Sequence, residues 1–192
     1  MTTLASVIRN RRTIREFNGH PVTEQQIIEI LETAVWAPYH ASKEPWRFIL
    51  FMGDSRQRLA SAVLSTYSQE AREKYGQTLM DKFTVETPAH LIVIMSEESE
   101  HARLERPRQW EDAYGATSAL IQNIQLLAWE QNIGMVWKTN AYNWDRSFCE
   151  AIGVLPGEKV VGTLHLGYYD ENKVANGSPR TPVSDLLTLA HL

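Results

Sequence analysis

Four arginines, Arg9, Arg11, Arg12 and Arg15, fall within seven positions of a chain whose formal net charge is −4. Guanidinium stays ionised and presents a planar fork of donors, which suits phosphate or carboxylate oxygens. A solvated helix end, where cations complement the dipole, is the rival account of such a cluster. Three other places carry similar polar chemistry: the loop holding His40 and Ser42, the segment Trp137-Lys138-Thr139, and Arg180 near the end of the chain. One anionic ligand with a flat, hydrogen-bonding body would explain why cations, hydroxyls and aromatic rings recur there. A non-enzymatic ligand-binding or interaction protein whose arginines recognise an acidic partner is the alternative.

The elements that must position these groups can be read from periodicity. Leu4, Val7 and Ile8 predict a first helix running into the arginines, after which Thr13 to Phe17 reads as extended and Asn18 to Pro21 as a turn. Thr23 and Gln26 form a capping-box pattern ahead of Ile27, Ile30, Leu31, Ala34 and Val35, and this helix must stop before Pro38. Trp46 to Phe51 is a strand. Asp54 is positioned to cap a third helix through Leu59, Val63 and Tyr67. Gln69 to Glu86 is polar and has no clear period. Leu91-Ile92-Val93-Ile94-Met95 predicts a strand buried on both faces. Pro107 opens a long helix with Trp110, Tyr114, Thr117, Ile121, Ile124 and Ala128 on one face, ended by Gly134. A short strand over Met135 to Thr139 follows, then a helix capped by Asn143 and closed by Gly153, and a last strand from Glu158 to Tyr169. These elements predict one α+β domain over residues 1–192.

Composition excludes several functions. The acidic pI of about 5.9 argues against nucleic-acid binding. A single cysteine, Cys149, allows no intrachain disulfide and fits a reducing compartment. No apolar run reaches membrane-spanning length and no secretory leader is evident, so the expected location is cytoplasmic, with no membrane partner. The spacing Gly157 to Gly162 lacks the Lys-Ser/Thr of a phosphate loop, and no Rossmann glycine pattern follows a strand. The six histidines never fall three or four apart, which argues against a metal site, and no Gly-x-Ser-x-Gly elbow occurs.

Taken in order, the motifs resemble the nitroreductase family. Arg11-Arg12-Thr13-Ile14-Arg15-Glu16-Phe17 is similar to its Arg-Arg-Ser-x-Arg-x-Phe start. Ala37 to Phe48 is similar to its Ala-Pro-x-x-x-x-x-Gln-Pro-Trp-x-Phe stretch, with Glu44 where the family has an amide. Gly134 to Thr139, Gly153, Pro156, Val160 to Gly167 and Arg180 follow in the family's order, so the marks span residues 4–182. The Trp-Lys-Thr version and short chain look most like the compact branch of NAD(P)H nitroreductases.

The resemblance implies a three-layer fold with a mixed, mainly antiparallel central sheet between helices. It also implies a homodimer whose two FMN sites lie at the subunit interface. On this basis Arg11, Arg12, Thr13, Arg15 and Arg180 hold the FMN phosphate and ribityl chain. His40 and Ser42 reach the flavin from the partner subunit, and Trp137, Lys138 and Thr139 lie along the ring. Trp36 either covers the flavin or packs in the dimer. The implied reaction is ping-pong reduction of a small nitroaromatic, quinone or related electron acceptor, with hydride passing from NAD(P)H through flavin N5. No catalytic side chain is assigned. Dehalogenation, oxidation and flavin fragmentation are the alternative chemistries of the same fold.

Overall fold

The computed structural model describes residues 3–40, 43–96 and 107–190. Among them, helix α1 (Leu4–Asn10) starts where the Thr3 hydroxyl accepts from Ser6 N. Helix α2 (Glu24–Ala34) carries the full capping box between Thr23 and Gln26. Strand β1 (Trp46–Met52) leads to α3 (Ser55–Ser65), and α4 (Gln69–Asp81) runs on into a π-helical turn, Lys82–Glu86. Strand β2 (Ala89–Ser96), the long α5 (Pro107–Glu130), β3 (Ile133–Lys138), α6 (Arg146–Ile152) and β4 (Glu158–Tyr168) complete the framework. Strand order is β1-β2-β4-β3 and every neighbouring pair is antiparallel. The one parallel pairing among the described residues is a bridge between Thr13 and Met135, on the outer edge of β3.

The uninterrupted apolar run in β2 is explained by helices on both faces of the sheet. Leu91, Val93 and Met95 join Ile27, Ile30, Leu120, Ile121 and Ile124 of α2 and α5 in one core. Ile92 and Ile94 point the other way, toward Leu59, Val63, Phe83, Phe148 and Ile152. This alternation is the period-2 geometry of a strand, and each fully buried aliphatic side chain contributes about 1.5–3 kcal/mol. The result is the helix–sheet–helix sandwich of an α+β domain.

Several boundaries differ from the sequence expectation. The long helix ends at Glu130, not Gly134, because Asn132 adopts the left-handed conformation (φ 57°) that asparagine tolerates; Gly134 lies inside β3. Asp54 makes no capping bond, and the Ser55 hydroxyl instead bonds the Met52 N–H and carbonyl. Helix α6 is capped by Asp145, which accepts from Phe148 N, while Asn143 sits in a 3-10 turn (Ala141–Trp144). The unassigned segment Gln69 to Glu86 is helical, but α4 buries none of its residues fully, so it carries no apolar stripe to read.

Candidate functional site

The segment after α1 is pinned to the sheet by its backbone. Ile14 N donates to Met135 O at 3.0 Å and Asn18 N to Tyr168 O at 2.8 Å. Ile14 turns inward and is buried, which leaves Thr13 and Arg15 facing outward. They line a cleft of about 280 Å³ with Phe17, Tyr169 and Lys173.

Arg11 is half-buried at the end of α1. Burial, then the charges of Arg12 and Arg180, pull its pKa below the ordinary arginine range. Three guanidinium groups from opposite ends of the chain therefore stand together. Among the described residues, no carboxylate forms an ion pair with Arg11, Arg12, Arg15 or Arg180. Arg12 is folded back, its Nη1 donating to the carbonyls of Arg9 (2.7 Å) and Arg11 (2.9 Å). Among the described residues, no such bond engages the donors of Arg11 or Arg180. Arg9 is exposed and contributes its carbonyl to Arg12.

A second cationic group forms at the end of β3. Lys138 is half-buried, and burial, then Lys82 and Arg15, lower its pKa. Lys82, at the start of the π-helical turn, had no signal in the sequence because the whole segment lacks an apolar period. Lys138 pairs across the ladder with Thr163, and Val136 with His165, which itself pairs with His90. All five side chains therefore share one face of the sheet.

Trp137 faces the other way. Its indole N–H donates to Val161 O at 3.3 Å, and the ring lies over Gly162, where a methyl group would overlap it. Successive strand residues point to opposite faces, so Trp137 and Lys138 cannot both present side chains to one ligand. Thr139, just past the strand, is exposed.

His40 and Trp36 do not join the arginines within one chain. The His40 side chain is 73% exposed, with Nε2 4.0 Å from Asp112 Oδ2, and Trp36 is 86% exposed. Beside His40, Tyr39, Lys43, Glu44 and Trp110 border a separate cavity of about 160 Å³. Ser42 lies outside the described residues. No group of three His, Cys, Asp or Glu among the described residues could hold a metal ion, and no described helix is long and apolar enough to cross a membrane.

Residues 8–168 match the nitroreductase family. The chain is 35% identical over 189 residues to YfhC of Bacillus subtilis, a candidate NAD(P)H nitroreductase, covering 96% of this chain and 93% of that protein. A crystal structure of a nitroreductase-like family protein from Bacillus cereus is 39% identical, with a TM-score of 0.89, over 99% of this chain and 97% of that one. A candidate nitroreductase from Desulfovibrio desulfuricans, solved in complex with FMN, shares the fold. Its TM-score is 0.73 at 21% identity, over 100% of this chain and 99% of that one.

Proposed function

The chain belongs to the nitroreductase family, and from that premise we propose that it is an FMN-dependent oxidoreductase. It uses NAD(P)H to reduce nitroaromatic, quinone or related small acceptors. One observation carries the assignment: Arg11, Arg12 and Arg180 converge without a carboxylate partner among the described residues, while Arg15, Lys138 and Lys82 converge separately. A phosphate fits the first group, and a flat ring with carbonyl oxygens that gains negative charge on reduction fits the second. An FMN-bound relative with the same fold supports that choice of ligand.

In this assignment Arg11 and Arg180 give charge-assisted hydrogen bonds to the phosphate, and Arg12 braces the turn that presents Arg11. Thr13 follows along the ribityl side, Arg15 stands between the ribityl chain and the ring, and Lys138 and Thr139 meet the ring. Trp137 acts as a peg behind them. FMN, when bound, supplies hydride acceptance from NAD(P)H and its delivery to the second substrate. The protein's part is position and electrostatics. Lys138, kept half-buried beside two other cations, favours negative charge placed next to it.

A homodimer completes the site in this assignment, with His40, Ser42 and Trp36 supplied toward the partner's cofactor. Exposed apolar side chains support it: Leu4 and Ile8 on α1, Trp36, and Val183, Leu186, Leu187 and Leu189 in the tail. Such surface is what a second copy would cover.

Purified protein tests the proposal directly. It should be yellow or take up FMN on titration, sediment as a dimer, and oxidise NAD(P)H anaerobically when given a nitroaromatic or quinone. Colourless protein with no shift of the flavin bands on adding FMN would refute the cofactor. Bound flavin without turnover would move the function to another flavin chemistry.

A further inference from the structure

Asn143 is 1% exposed, and every polar part of it is engaged. Its Nδ2 donates to the Lys138 carbonyl at 3.0 Å, and its Oδ1 accepts from the Thr163 hydroxyl at 2.9 Å. Its backbone N–H donates to Asn140 O at 2.9 Å, and its carbonyl accepts from Cys149 Sγ at 3.4 Å. Lys138 and Thr163 are the last pair of the β3–β4 ladder, so the carboxamide adds a second hold on this carbonyl at the frayed end of the ladder. A buried amide costs several kcal/mol unless its partners are met, so this one is held in a single orientation.

The consequence lies one bond further along. The peptide from Lys138 to Thr139 is trans, so the Thr139 N–H points opposite to the Lys138 carbonyl. Thr139 is exposed, and among the described residues no acceptor meets its N–H. A carbonyl pinned on the inner side therefore fixes a free donor on the outer side, beside the Lys138 cation. We infer that Asn143 is a positioning residue: by holding the Lys138 carbonyl it aims the Thr139 N–H at the cofactor ring. The inference rests on the FMN assignment above. A donor fixed before the ligand arrives needs no reorientation when it binds.

The holoprotein tests this with three variants. Asn143→Asp keeps an acceptor for Thr163 but loses the amide donor, and Asn143→Ala loses both contacts. Thr163→Val breaks the other hydrogen bond of the same carboxamide and leaves the Lys138 contact intact. Both Asn143 variants should weaken FMN binding about 3- to 10-fold, as expected for one misdirected hydrogen bond, and should shift the flavin absorption bands. Thr163→Val should lower Tm and shift the spectrum less than either Asn143 variant, because the Lys138 contact remains. Wild-type affinity and spectrum in the Asn143 variants, or an equal spectral change in Thr163→Val, would overturn the positioning role. Failure of the wild type itself to bind FMN would overturn the cofactor assignment instead. If the Asn143 variants do not fold, hydrogen exchange on the wild type decides. The Thr139 amide should exchange more slowly once FMN is bound, and no slowing would overturn the inference.

Discussion

The guanidinium of Arg12 lies against the α-carbon of Gly177, leaving no room there for a side chain. The tail of the chain is thereby docked on the N-terminal arginines, and Arg180, three residues on, comes within electrostatic reach of Arg11. Because Arg12 is tied to two carbonyls, it cannot swing away without losing both. Gly177→Val should therefore displace the tail and act like a loss of Arg180. Arg180→Ala should weaken FMN binding about 10-fold or more in a fluorescence titration, and the double variant should lose little beyond that. Full additivity would show that Gly177 does not act through Arg180.

Arg11→Ala removes a half-buried cation that has no carboxylate partner among the described residues. The expected cost is about 1.5–3 kcal/mol, or roughly 10- to 150-fold in the FMN dissociation constant. Arg9→Ala, a change at an exposed side chain outside the cluster's core, should leave that constant within about twofold. Equal effects at the two positions would count against a phosphate at Arg11.

Stability should fall in mild acid. His90 and His165 are fully buried with their rings edge to face at 4.5 Å. Burial holds both neutral: it pushes His90 down to about 4, and with the neighbouring His90 it pushes His165 well below the ordinary histidine value. The unfolded chain thus binds more protons than the folded one between about pH 4 and pH 6.5. Folding free energy is therefore complete above that window and declines as pH falls through it, by about 3 kcal/mol for His90 alone. Urea denaturation at pH 7 and pH 5 measures the slope, and His165→Leu should reduce it to the part that His90 supplies. A profile without slope would contradict the neutral pair.

Gly162→Ala should destabilise the sheet, since the added methyl meets the Trp137 indole, which is itself bonded to Val161 O. Overpacking of this kind costs about 1–3 kcal/mol, read as a lower denaturation midpoint. An unchanged midpoint would mean that the indole moves aside freely.

Much of this arrangement was legible because single residues had single uses. Thr23 and Gln26 cap α2 as their spacing requires, Gly153 ends α6 with φ 90°, and the Leu91–Met95 run is buried on both faces because helices cover both. Asn143 misled for the opposite reason. Its side chain is chemically suited to a cap, but a contact with Lys138 and Thr163, distant in sequence or across a turn, claims it, and Asp145 does the capping. The arginine cluster could be named from its spacing, yet its third member, Arg180, joins only through the fold. The side-chain directions of Trp137 and Lys138 needed the strand register, and the approach of Lys82 needed the π-helical turn that no period announced.

The bridge from Thr13 to Met135 gives the arginine segment a second duty. Strand β3 is the last strand of the sheet, and Thr13 and Ile14 occupy its outer edge. An unoccupied edge of this kind is a template for pairing with another chain. If the proposed FMN assignment holds, the residues that receive the anion are also the guard of the sheet, so a change that loosens them would both weaken ligand binding and unmask a surface prone to aggregation. Occupancy of the arginine site should correspondingly protect against precipitation, with solubility and cofactor content rising and falling together across variants of residues 11–15.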